Sequence, residues 1–165
     1  MRGSKAIFSV AALVVAIAGC TNSSDVSNLS PVTKEVEAKE SVGAILFDQR
    51  TYYIENQAFT TSASNLRTLA NKLDTPNYIY KLKAKPNQRT GIAVTATPKR
   101  PNLRSFTGVV FAVNAGKQTL TISEICETTE PSKQPPAAPS APRGPRDVIR
   151  CPVGSRSAIA VVAQQ

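Results

Sequence analysis

The sequence predicts an α+β domain in which one long N-terminal helix packs on a four-stranded antiparallel sheet. Two patterns carry this reading. From Lys34 to about Asn56 apolar residues recur at three- and four-residue spacing, and between Tyr78 and Cys126 four shorter runs alternate apolar with polar side chains. Length bounds the rest. Setting aside residues 1–19 of the 165 as an export signal leaves 146, enough for one domain with a modest core.

Ala38, Val42, Ile45, Leu46, Gln49, Tyr52 and Tyr53 fall on one side of the predicted helix, while Glu37, Lys39, Glu40, Asp48 and Arg50 take much of the other. Thr33 is the expected cap, and Val36 stands where a glutamate would complete a capping box. Gly43 costs about 1 kcal/mol in a helix interior relative to alanine, which suggests close approach to a neighbouring strand there. Upstream, residues 20–33 are rich in Ser, Thr and Asn and read as a flexible tether, so the domain is placed at 34–165. Downstream, polar residues from Gln57 to Asn65 end the helix. Leu66, Leu69 and Leu73 suggest one or two further helical turns, broken by Asp74-Thr75-Pro76-Asn77.

In the first strand-like run Tyr78, Tyr80, Leu82 and Ala84 alternate with Ile79, Lys81, Lys83 and Lys85, which puts three lysines on one face. Gly91 to Thr97 gives the second run, with Ile92, Val94 and Ala96 together. Ser105 to Asn114 gives the third, with Val109, Phe111 and Val113 sharing a face. Asn114-Ala115-Gly116-Lys117 turns into the fourth, where Leu120, Ile122 and Cys126 alternate with threonine and serine. Between Pro131 and Pro145 six of fifteen residues are proline, and such a stretch cannot donate a regular ladder of hydrogen bonds. It is expected as an exposed, extended loop spanning about 128–147. A Pro-rich segment also has the preformed extended shape that recruits partners, although a surface loop is the commoner role.

At the N-terminus Arg2 and Lys5 precede thirteen uncharged, mostly apolar residues, Ala6 to Ala18, and then Gly19-Cys20. This is signal-peptide architecture, too short for a stable membrane span of about 20 residues. Ile17-Ala18-Gly19-Cys20 resembles the bacterial lipobox, whose cysteine is acylated and becomes the first residue of the mature protein. The resemblance implies a lipoprotein anchored to membrane through Cys20, carrying two or three acyl chains such as palmitate. At about 0.8 kcal/mol per buried methylene, two or more chains hold a protein durably where one does not. Thr21 occupies the place of an inner-membrane retention aspartate, so the expectation is the cell envelope, outer membrane before inner, with the head in the periplasm or at the cell surface.

With Cys20 lipidated, Cys126 and Cys151 have one possible pairing, and export makes that disulfide plausible. It would close a loop of about 26 residues, worth roughly 3 to 4 kcal/mol in the chain-entropy model. No metal site is expected, because the chain has no histidine and two cysteines fall short of a tetrahedral zinc site.

The mature chain carries a net charge of +7, from 18 basic residues after removal of Arg2 and Lys5 against 11 acidic ones. Between Thr75 and Ser123 there is no acidic residue, while Lys81, Lys83, Lys85, Lys99, Arg100 and Arg104 all fall there. Clustered lysine and arginine reward nucleic acid, anionic lipid headgroups or acidic polysaccharide through counterion release. The alternative is a solvated face that confers solubility only. No aromatic residues interleave with these lysines as base stacking would require.

Longer segments resemble a family. Glu37-Ala38-Lys39-Glu40-Ser41-Val42-Gly43-Ala44-Ile45 and Gln49-Arg50-Thr51-Tyr52-Tyr53-Ile54-Glu55-Asn56 are similar to the long helix of cyanobacterial type IV pilin-like proteins of the G/H group. Ala96-Thr97-Pro98-Lys99, Leu103-Arg104-Ser105-Phe106-Thr107-Gly108, Val110-Phe111 and Ile125-Cys126-Glu127 resemble its strand segments, and Cys151-Pro152-Val153-Gly154 its closing cysteine motif. The resemblance spans roughly Lys34 to Ser155. It implies a pilin-like fold with a disulfide closing the C-terminal region. A true pilin also begins with a methylated aromatic residue and a long apolar helix bearing an early glutamate; here Gly3 precedes Ser4 and Lys5, and Phe8 stands where the glutamate belongs.

Catalysis finds little support: there is no histidine for acid–base work near neutrality, no Gly-rich phosphate loop and no nucleophile elbow. No cofactor and no small-molecule substrate are expected. The leading expectation is a noncatalytic, membrane-anchored lipoprotein whose pilin-like head is an accessory interaction module of pilus or envelope machinery. Its alternative is a binder of anionic polymer, DNA or acidic polysaccharide, through the basic sheet face.

Overall fold

The computed structural model describes residues 29–67 and 73–158. The expected signal, Cys20, most of the tether and Leu69 lie outside the described residues.

Local chemistry at Ser30 and Pro31 starts helix α1 (Pro31–Asn56). Ser30 is extended, with φ −61° and ψ 155°, and its hydroxyl accepts the Thr33 amide at 3.2 Å. Pro31 takes the first helical position, where its fixed φ fits and its missing N–H is one no helix uses. The helix thus begins three residues before the expected Lys34. Ser30 is the cap in place of Thr33, and residues 31–33 belong to the helix, not to a tether. At the other end Gln57 turns left-handed, φ 52°, and returns its amide to the Tyr53 carbonyl at 2.8 Å. Most of the expected face is buried: Ala38, Val42, Ile45, Leu46, Gln49 and Tyr53 enter the core, whereas Tyr52 is half-buried and Asp48, expected on the other side, is buried.

Beyond the helix, the leucines do not continue as helical turns where the chain is described. Ala63–Asn65 form one short 3-10 turn and Leu66 is extended, yet Leu66 is fully buried and Leu73 packs against the same core.

The sheet is a simple meander of strands β1 (Tyr78–Ala84), β2 (Gly91–Pro98), β3 (Phe106–Ala115), β4 (Gln118–Thr128) and β5 (Ser155–Ser157), each antiparallel to its neighbour in that order. Four strands were expected and five are present among the described residues. The added β5 is three residues long, too short for alternation to announce it, and pairs Ser157 with Cys126 and Ser155 with Thr128. The helix lies on the face formed by Tyr78, Tyr80, Ile92, Val94, Ala96, Phe106 and Val110.

Close approach of helix and sheet occurs at Gly108 of β3, not at Gly43 of the helix. A methyl placed on Gly108 would stand 2.6 Å from a Val42 methyl and 3.0 Å from one of Leu46, whereas one on Gly43 would meet only Ile125 at 3.9 Å. The helix ridge sits directly on bare strand backbone.

The second face of the sheet is covered as well, and the expectation of an exposed Pro-rich loop is corrected here. Thr107 donates its hydroxyl to the Pro136 carbonyl at 2.7 Å, Ser105 donates to the Ser132 carbonyl, and Pro136 and Pro139 are buried. Ala138 and Ile149 pack on Ala93, Val109, Phe111 and Val113 in a second apolar cluster. The segment is extended but acts as a strap. Its physical cause is visible in β3: both faces of residues 106–111 are apolar or small, so the side away from the helix also needs cover. Prolines suit a cover that need not donate to a ladder.

Candidate functional site

Position in the register divides the six basic residues singled out in the sequence into two groups. Lys81 and Lys83 are exposed on the strap face of β1, Lys83 opposite Ala93 and Lys81 opposite Thr95. Lys85 follows β1, half-buried beside Pro86, Phe111 and the strap residues Pro139 to Ala141 around a cleft of about 270 Å³. Lys99, Arg100 and Arg104 belong to the β2–β3 connection at the opposite end of the sheet, the length of β2 away, roughly 25 Å at strand rise. Lys81, opposite Thr95, stands between the two ends, so the six spread along the length of β1 and β2.

Two of the second group are already engaged. Lys99 pairs with Asp74. Arg104 donates from Nη1 to Glu35 Oε2 at 3.1 Å, its backbone N–H donates to Glu35 Oε1 at 2.8 Å, and its Nε donates to the Thr129 carbonyl at 3.3 Å. Arg104 therefore clasps the second turn of α1 to the sheet. Next to it, the Tyr78 hydroxyl donates to the Arg104 carbonyl at 2.9 Å; burial, with Glu35 and Tyr80 adding, holds that phenol protonated well above its ordinary range.

The strap supplies cations that sequence reasoning passed over. Arg143, Arg146 and Arg150 are exposed, and Arg143 and Arg150 line a cleft of about 530 Å³ with Ser140, Ala141, Pro142 and Asp147. This cleft and that of Lys85 meet at Ser140 and Ala141. Asp147 is the acid nearest these arginines, and its carboxylate accepts the Arg143 and Val148 amides, both at 3.0 Å. Those hydrogen bonds hold its carboxyl below the usual carboxylate range, with Arg143 and Arg150 adding. Arginines in a Pro-rich loop gave no periodicity to read; only the folding of the strap onto the sheet brings them near the lysines.

Cys126 and Cys151 form a disulfide, with Cα atoms 5.5 Å apart. It ties the returning end of the strap to β4, where Cys126 is fully buried. A further open cleft of about 670 Å³ lies between the last turns of α1 and the β3–β4 hairpin, lined by Arg50, Tyr53, Ile54, Lys117 and Leu120 among others. Arg50 crosses it to donate to the Thr121 hydroxyl at 3.2 Å.

Residues 35–152, from the second turn of α1 through the disulfide, match the family model described as "Type IV pilin-like G and H, putative". The chain belongs to this family. No curated protein and no solved structure matches it. The type IV pilin-like head accounts for the helix, the antiparallel sheet and the closing disulfide as one unit. It also gives Gln49 a role: buried completely, it donates from Nε2 to the Thr60 carbonyl at 2.6 Å and accepts the Thr60 amide on Oε1 at 3.0 Å. A side-chain amide thus replaces one rung of backbone ladder and pins the chain leaving the helix. Type IV pilin-like domains are generally structural, not enzymatic.

Proposed function

We propose that this protein is a noncatalytic lipoprotein, anchored to an envelope membrane through acylated Cys20, whose type IV pilin-like head serves as an accessory interaction module of pilus or envelope machinery. The observation that carries it is the start of α1. Ser30 is extended and caps the helix, and Pro31 follows at the first position, so the head's helix opens at a defined chemical boundary after residues 20–29. A pilin that polymerises through its N-terminus needs a long apolar helix with an early glutamate, and Phe8 stands in that place. A head tethered singly to a bilayer fits the Gly19-Cys20 sequence better than a filament subunit. Mass spectrometry of the mature N-terminus, with fractionation of both membranes, tests this: acylated Cys20 is expected, and a methylated, unlipidated N-terminus refutes it. The accessory role fails if pull-downs from membranes recover no pilus or envelope component and deletion leaves piliation, motility and DNA uptake unchanged.

A second reading is favoured by one observation. Lys81 and Lys83 project from the edge strand and make no ion pair among the described residues, in contrast to Lys99 and Arg104. That leaves them available to an anionic polymer, DNA or acidic polysaccharide. Affinity that does not fall steeply with salt would rule out this electrostatic version.

A further inference from the structure

The strap changes what the basic face can hold. Lys85 lines one cleft, Arg143 and Arg150 line another, and Ser140 and Ala141 line both. Among the described residues none of Lys85, Arg143, Arg146 and Arg150 makes an ion pair, and the carboxylate of Asp147 is turned to backbone amides. The floor is built of Pro139, Ala141 and Pro142, with Phe111 at the base of the Lys85 cleft. Together the two linings hold three cations, Lys85, Arg143 and Arg150, against one carboxylate, that of Asp147.

Resting on the anionic-polymer reading above, we propose that the two clefts form one binding trough for a carboxylated polysaccharide, with Arg143 and Arg150 gripping carboxylates and Lys85 a neighbouring unit. Guanidinium groups match carboxylates in a two-point fork, which point-charge lysines do not. The proline and alanine floor offers sugar rings an apolar surface. Nucleic acid fits less well: single strands gain their affinity from stacking on exposed aromatic rings, and Phe111, the aromatic residue in the trough, is buried. The sequence-derived set moves accordingly, from Lys99, Arg100 and Arg104 to the strap.

Titration of the full mature chain with sodium polygalacturonate, single-stranded DNA and neutral dextran across a salt series tests the proposal. R143Q/R150Q is expected to weaken polygalacturonate binding about tenfold or more, and R143K/R150K severalfold, because charge is kept and the fork is lost. K99Q/R100Q should change nothing. All these side chains but Lys85 are exposed, and an unchanged melting temperature confirms that the variants fold. Binding that survives R143Q/R150Q but is lost in K81Q/K83Q overturns the trough while sparing the general basic-face reading. Absence of binding at low salt overturns both. Tighter binding to DNA than to polygalacturonate overturns the ligand class, and equal binding to dextran overturns the role of charge.

Discussion

Replacing Gly108 with alanine should destabilise the head through steric overlap alone. The backbone of Gly108 is not left-handed, so alanine meets no conformational barrier there. Its methyl, however, would lie 2.6 Å from Val42 Cγ1 and 3.0 and 3.1 Å from the two Leu46 methyls, all on buried helix residues. Relief requires α1 to lift from β3 or both side chains to leave their rotamers, and overpacking of this kind costs roughly 1 to 3 kcal/mol. For a domain of this size each 1 kcal/mol moves the melting temperature by roughly 4 °C, so Gly108→Ala should lower it by roughly 4 to 12 °C. Gly43→Ala is the matched control. Its methyl finds only ordinary contact with Ile125, and the gain in helix propensity is about 1 kcal/mol, a rise of roughly 4 °C. Thermal unfolding followed by circular dichroism reads both. Adding Val42→Ala to Gly108→Ala should cost less than the two single changes summed, because each relieves what the other creates. A stabilised Gly108→Ala, or a strongly destabilised Gly43→Ala, refutes the placement of the helix–sheet contact.

Gln49→Leu leaves both the N–H and the carbonyl of Thr60 buried without their partner, and should cost roughly 2 to 4 kcal/mol in urea unfolding; a smaller loss than Asn56→Ala, whose side chain bonds only the exposed Tyr52 carbonyl, would contradict the clamp. Reducing the Cys126–Cys151 disulfide should lower stability by roughly 3 to 4 kcal/mol and loosen the strap's return limb, read as faster proteolysis between Pro131 and Arg150; equal proteolysis before and after reduction would show the strap held by other contacts. Burial raises the Tyr78 and Tyr80 phenols above their ordinary 10.0. The folded state then keeps protons that the unfolded chain loses, so stability is full below about pH 10 and falls above it. Phenolate absorbance should rise together with unfolding as alkali is added; ionisation of both tyrosines at their ordinary value in a folded protein would be the contrary result.

Regular elements were legible where one periodicity dominates. The buried side of α1 follows from its spacing, and β1 to β4 from alternation, because each of these segments repeats its pattern over seven residues or more. What escaped is what has no period. Ser30 and Pro31 set the helix start through one hydroxyl and one fixed φ, whereas the sequence placed the cap at Thr33, which carries the same hydroxyl three residues later. Gly43 and Gly108 both sit in the interior of an element; which of them touches its neighbour depends on the rotation of α1 over β3, a tertiary fact.

The strap is the larger case, and it bears on function. The burial of Val109, Phe111 and Val113 was implied by their common face, but a helix can cover only one side of a sheet, and the side it takes is that of Phe106, Gly108 and Val110. The face of Val109 then needs another cover, and the chain left after β4 is the Pro-rich segment, tied down at Ser105, Thr107 and Cys126. A segment drawn onto the sheet in this way carries its arginines with it. Arg143 and Arg150 thereby come to line a cleft that shares Ser140 and Ala141 with the cleft of Lys85, although Lys85 and Arg143 are 58 positions apart in the chain. A test of the proposed polymer binding therefore needs strap variants at Arg143 and Arg150 beside variants of the sheet lysines Lys81 and Lys83.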